Sequence, residues 1–147
     1  MSINTQPDRE TIIVIDFGSQ YSRLIARRVR ELNVYCEIVS HDVTWESLDH
    51  LNPRGIILSG GPASVYEADA PMAPNWVFEK GLPILGICYG MQLMVHQLGG
   101  KVSPSVKKEY GHSVLIQNGQ NEDLFTDIPD SIPVWMSHGD RIETCPS

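Results

Sequence analysis

Three short apolar runs, Ile12–Ile15, Gly55–Leu58 and Pro83–Ile87, each give way to glycine and polar residues. Each run is too short for a helix and lacks the alternation of a half-solvated strand. Such runs fit strands covered by helices on both faces. The intervening segments have helical spacing. Leu24, Ile25, Val29 and Leu32 recur on one side, while Arg23, Arg27, Arg28, Arg30 and Glu31 occupy the rest of the wheel, and Asn33 marks the end. Val34–Val39 is a second strand. Thr44 is placed to cap a short helix over Trp45–Leu51, and another helix runs through Trp76, Val77 and Phe78. Tyr89–Leu98 carries apolar Met91, Leu93, Met94, Val95 and Leu98 and closes on Gly99-Gly100. This alternation predicts an α/β fold, a doubly wound and mostly parallel open sheet with right-handed crossovers.

The pattern changes after Lys101. Val102, Val106, Ser113–Ile116 and Pro133–Met136 suggest short strands joined by polar loops with no helix between them, a small antiparallel extension. Residues 1–10 read as a flexible N-terminus without the apolar core of a signal peptide, and residues 11–147 as one domain. The uncharged stretch Gly81–Gly100 is long enough for a membrane span, but five glycines, Pro83, Gln92, His96 and Gln97 suit a buried strand, turn and helix better. A net charge of −7 argues against polyanion partners, so no nucleic acid and no membrane surface is expected. Three cysteines, Cys36, Cys88 and Cys145, give no disulfide framework and fit a reducing, cytoplasmic setting.

Gly86-Ile87-Cys88-Tyr89-Gly90 is the sharpest chemical feature. A strand ends at Ile87, a helix begins near Tyr89, and a nucleophile-type side chain stands between them with Gly86 and Gly90 two residues away on either side. This is the strand–turn–helix elbow of hydrolases with Cys in the serine position. The positive end of a helix favours the thiolate. The alternative is a structural cysteine in a glycine-containing loop. Ser59-Gly60-Gly61-Pro62 ends the third strand at the same edge of the sheet, where ligand crevices open. Backbone N–H groups there, with that of Tyr89, could hold a developing oxyanion. A plain turn is the competing reading, and a phosphate loop of the G-x-x-x-x-G-K type is absent.

Ser137-His138-Gly139-Asp140 offers a His-x-Asp pair. A thiol nucleophile needs a base, and His138 with Asp140 resembles a base and its orienting acid. His41, His50, His96 and His112 fit surface or structural roles. His96 lies eight residues past Cys88 on the same predicted helix, roughly 12 Å along it, out of reach of the thiol. No metal-ligand spacing occurs.

Taken together, these segments resemble a known family. Asp16–Glu31, Gly55–Val65, Leu82–Gln92, Glu109-Tyr110-Gly111 and Trp135–Asp140 resemble the class I glutamine amidotransferase domain of the GMP synthase family, over about Ile12 to Glu143. The resemblance implies a flavodoxin-like core. It implies that Cys88 attacks the side-chain amide of glutamine and that Gly60 and Tyr89 supply oxyanion N–H groups. Gln92, Ser137, His138, Gly139 and Asp140 would hold the substrate's α-amino and α-carboxylate groups, the acid facing the ammonium. No cofactor is implied in this domain. Ammonia would pass to an ATP-pyrophosphatase synthetase domain or subunit, which uses ATP and Mg²⁺ to convert XMP to GMP. That domain and the dimerisation region have no counterpart in these 147 residues. The family's base and its partner form a later His-x-Glu, and no His-x-Glu occurs here. The chain alone is therefore expected to be weak or inactive. Two further readings stay open: a non-catalytic module that binds glutamine or a partner, and another cysteine hydrolase such as a γ-glutamyl hydrolase.

Overall fold

A computed structural model describes residues 9–119 and 122–147, apart from the side chains of Lys108, Glu109, Glu122 and His138. The expected flexible N-terminus lies, through residue 8, outside the described residues. The chain divides into two compact units. One runs to Ser103 and resumes at Ile142, and the other is Pro104–Arg141.

The first unit is built on four parallel strands, β1 (Thr11–Asp16), β2 (Tyr35–Ser40), β3 (Pro53–Leu58) and β4 (Ile84–Gly86), in the order β2-β1-β3-β4. The first crossover places β2 on one side of β1 and the next places β3 on the other. Winding therefore reverses between β1 and β3, and the crevice at their carboxyl ends is where such sheets bind ligands. β1 is central, and its period-two side chains feed two cores. Ile13 and Ile15 join Phe17, Ile56, Leu58, Val77 and Leu93 on one face. Val14 packs with Ala26 and Cys36 on the other, where Ile25 and Val29 of helix α1 (Ser22–Glu31) cover it. Helix α2 (Trp76–Glu79) and helix α3 (Tyr89–Gln97) contribute Val77 and Leu93 to the first face.

Several local details depart from the sequence expectation. Leu24 and Leu32 of the α1 stripe are exposed, and Ser22 and Ala26 take the buried positions. Small residues there let the helix approach the sheet. The helix expected over Trp45–Leu51 is two single 3-10 turns, Trp45–Ser47 and Asp49–Leu51. Thr44 does not cap the first with its side chain; its carbonyl instead accepts the Ser47 hydroxyl at 2.7 Å. Asn52, left-handed at φ 51°, turns the chain into β3. Asn33, at φ 59°, does the same after α1.

The expected short strands after Lys101 are two long ones, β5 (Lys101–Ile116) and β6 (Ser131–Thr144), paired as a two-stranded sheet. Lys101 and Ser103 meet Glu143 at one end, and the Gln117 N–H meets the Asp130 carbonyl at the other, an antiparallel hairpin. A short helix α4 (Glu122–Phe125) lies between them, contrary to the expectation of none. The polar residues and Pro104 and Pro133 break the apolar pattern without breaking the strands. In a two-stranded sheet each strand has a free edge, so a proline facing outward removes no ladder bond. Among the described residues no helix is long and apolar enough to cross a membrane.

Candidate active site

The carboxyl ends of β1, β3 and β4 place three turns side by side. β4 ends at Gly86 and α3 begins at Tyr89, so Cys88 occupies the corner, with φ 51° and ψ −114°. A residue with a Cβ in this region carries strain of about 1–3 kcal/mol, tolerated where the surroundings enforce it. The enforcement is visible. A Cβ on Gly86 would come within 2.6 Å of the Met91 Cα, and one on Gly90 within 2.1 Å of the Leu58 carbonyl oxygen. Helix, elbow and β3 are in backbone contact, which only glycine at both positions allows. The Ile87 N–H donates to the Leu58 carbonyl at 3.0 Å and the Gly90 N–H to the Ile87 carbonyl at 3.0 Å. Cys88 is exposed. Of the other thiols, Cys36 is buried and donates to the Ala26 carbonyl, while Cys145 is exposed near the chain end.

Gly60 faces this corner. A side chain there would begin 3.6 Å from the Cys88 Cβ. Gly61 is pressed against β1's extension, where a Cβ would fall 2.5 Å from the Phe17 carbonyl oxygen. Ser59 ties the two turns: its buried hydroxyl accepts the Phe17 N–H at 3.2 Å and donates to the Gly60 carbonyl at 3.0 Å. The Tyr89 N–H, first of α3, has no carbonyl to reach within its helix. Its ring is buried against Phe17, with centroids 5.5 Å apart, and its hydroxyl donates to the Pro71 carbonyl at 2.6 Å. Burial, with the nearby Glu67 carboxylate, pushes the Tyr89 phenol up to about 12. Gln92 sits one turn into α3, its N–H bonded to the Cys88 carbonyl at 3.1 Å. The residue is only 6% exposed, and its side-chain amide has no hydrogen-bond partner among the described residues.

Cys88, Gly60, Tyr89, Gly86, Gly90 and Gln92 thus converge in the first unit. Ser137, His138, Gly139 and Asp140 are consecutive on β6 in the second unit. Ser137 is exposed, Gly139 and Asp140 are half-buried, and the His138 side chain lies outside the described residues. Sequence reasoning overlooked Ser59 as a tie and treated Asp16–Gln20 only as a turn. The signal was present in Asp16, Ser19 and Ser22, whose side chains suit backbone-capping bonds just past a strand.

The match of this sequence to the glutamine amidotransferase class-I family spans residues 13–147. The chain belongs to that family. This amidotransferase is 65% identical over 139 residues to the glutamine-hydrolysing GMP synthase of Dehalococcoides mccartyi, a match covering 95% of this chain and 26% of the relative. It is 56% identical over 142 residues to the enzyme of the same name from Thermomicrobium roseum, covering 97% and 27%. The chain therefore spans about a quarter of the length of these curated relatives. Among solved structures, a candidate GMP synthase component from Thermoplasma acidophilum superposes with a TM-score of 0.81 at 32% identity, over 95% of this amidotransferase and 69% of that chain. A glutamine amidotransferase from Thermotoga maritima, at 22% identity and a TM-score of 0.70 over 92% of this chain and 63% of that one, shares the fold.

Proposed function

We propose that this chain is the glutamine-hydrolysing part of a GMP synthase. The observation that carries the reading is the strained Cys88 elbow with Gly60 against it. Cys88 Sγ attacks the carboxamide carbon of glutamine, and the carbonyl oxygen takes up negative charge. The N–H groups of Gly60 and Tyr89 receive that oxyanion, an arrangement in which each donor contributes on the order of 10²–10³ in rate. Ammonia leaves, and water hydrolyses the thioester to glutamate. The family resemblance assigns the amino-acid end of the substrate to Gln92 on α3 and to Ser137, His138, Gly139 and Asp140 on β6.

The whole protein's reaction, amination of XMP to GMP with ATP and Mg²⁺, belongs to a synthetase domain or subunit that receives the ammonia. The names of the relatives support this assignment. The Ser59-Gly60-Gly61 turn does not fit an ATP phosphate: Gly61 is pressed against the Phe17 backbone and the Ser59 hydroxyl is committed to two backbone groups. A cytoplasmic setting fits this biosynthetic role.

Among the described residues the Cys88 thiol has no hydrogen-bond partner, and no His-x-Glu occurs in the sequence. Removing a catalytic base costs orders of magnitude in rate. The chain mixed with glutamine is thus expected to release glutamate far more slowly than a complete enzyme, and Cys88→Ala to abolish the release. Rapid release that survives Cys88→Ala would refute the assignment of the nucleophile. Rapid release that depends on Cys88 would refute the need for the His-x-Glu. A module that binds glutamine without turnover is the second reading. Calorimetric binding of glutamine, with no glutamate formed even when a His-x-Glu segment is supplied, would decide for it.

A further inference from the structure

The turn after β1 brings one more polar group to the elbow. The Asp16 carboxylate accepts the Gly18 N–H at 3.0 Å, the Ser19 N–H at 3.2 Å and the Ser22 hydroxyl at 2.7 Å. These three bonds fix the turn and hold Ser19 in place, half-buried. The point where a side chain on Gly60 would begin is 3.7 Å from the Ser19 Oγ and 3.6 Å from the Cys88 Cβ. Ser19 and Cys88 therefore flank the same open side of Gly60. The Ser19 Oγ accepts the Tyr21 N–H at 3.0 Å. Its own hydroxyl hydrogen has no acceptor among the described residues. A hydroxyl that already accepts from the backbone is oriented to donate, and this one, like the Cys88 Cβ, borders Gly60.

We propose that the Ser19 hydroxyl is a third donor to the substrate's carboxamide oxygen, alongside the backbone N–H groups of Gly60 and Tyr89. The inference rests on the reading of Cys88 as the nucleophile toward glutamine. As the Cys88 sulfur bonds to the carboxamide carbon, the carbonyl π electrons move to oxygen, and the Ser19 hydrogen bond strengthens with that charge. The pair returns to re-form the C=O bond as the C–N bond breaks and ammonia departs with the thiol's proton. A donor that gains strength only as charge develops acts on the rate more than on binding.

The test uses a probe that needs no base. L-2-Amino-6-chloro-5-oxohexanoate carries a ketone at C5, where glutamine has its amide, and the Cys88 thiolate displaces chloride from C6 to form a thioether. Alkylation of Cys88 in the 147-residue chain is followed by mass spectrometry, with the D-enantiomer and with methyl methanethiosulfonate, which has no carbonyl, as controls. Ser19→Ala is expected to lower the maximal alkylation rate about 10- to 100-fold, with the half-saturating concentration changed by about twofold or less. The thiosulfonate reaction stays within about twofold of wild type, because the thiol itself is untouched. Ser19→Thr, which keeps the hydroxyl, restores most of the rate. An unchanged ketone rate in Ser19→Ala overturns the proposal. So does an equal loss with both reagents, which would make Ser19 a support for the elbow only. Wild-type Cys88 that shows no preference for the L over the D probe would instead remove the glutamine reading, and the Ser19 role with it.

Discussion

The first unit buries β1 on both faces, with Ile13, Val14 and Ile15 wholly inaccessible, whereas the Pro104–Arg141 unit leaves Val106 96% exposed and Tyr110, Ile116 and Trp135 largely in solvent. Both regions are strands rich in β-branched and aromatic residues. What separates them is the number of layers. A sheet covered by α1 on one face and α3 on the other turns such residues into core, while a two-stranded hairpin has no second layer of its own and is marginal in isolation. The proposed functional groups divide along the same line. The nucleophile and the oxyanion donors stand on turns clamped by backbone contact. Ser137, His138, Gly139 and Asp140 stand on a hairpin strand.

The largest effect should come from breaking the clamp. Gly90→Ala would drive a methyl group into the Leu58 carbonyl, with no flexible side chain to yield. A loss of about 3 kcal/mol or more is expected, read as a fall in the urea midpoint or as failure to fold. A change of less than about 1 kcal/mol would show that the elbow is looser than its geometry implies. A direct comparison of the two regions comes next. Leu58→Ala, at a fully buried position, should cost about 2–5 kcal/mol. Val106→Ala on the hairpin should stay within about 0.5 kcal/mol. Comparable losses at the two positions would mean that the hairpin face is covered in solution. The smallest effect concerns pH. The Tyr89 phenol, ordinarily near 10.0, is raised to about 12 by burial and the Glu67 carboxylate. The folded state thus favours the protonated phenol. That stabilisation is complete below pH 10 and is lost as pH rises from 10 through 12. Urea midpoints measured from about pH 9 upward should fall more steeply for the wild type than for Tyr89→Phe, and parallel curves would contradict it.

Much of the framework was legible because it depends on local patterns. β1, β3 and β4 follow from short uncharged runs, and α3 from its apolar spacing and closing glycines. The elbow follows from a nucleophile-type residue between two glycines at a strand–helix junction. The hairpin was less legible, since its prolines and serines interrupt the apolar signal and its length is set by cross-strand pairing. The 3-10 turns at Trp45–Leu51 depart from the local pattern for a similar reason. Trp45 and Trp76 pack together, the Trp76 indole donates to the Val43 carbonyl, and these distant partners settle the local conformation.

The sequence by itself determined the fold class, the strand and main helix order of the first unit and Cys88 as the candidate nucleophile, because periodicity and glycine spacing are written in neighbouring positions. Only the tertiary structure decided which turns share the corner. Ser19, Ser59, Gly60 and Cys88 come from three strand ends far apart along the chain. They meet because the sheet reverses its winding between β1 and β3 and because Gly61, Gly86 and Gly90 let neighbouring backbones approach closely.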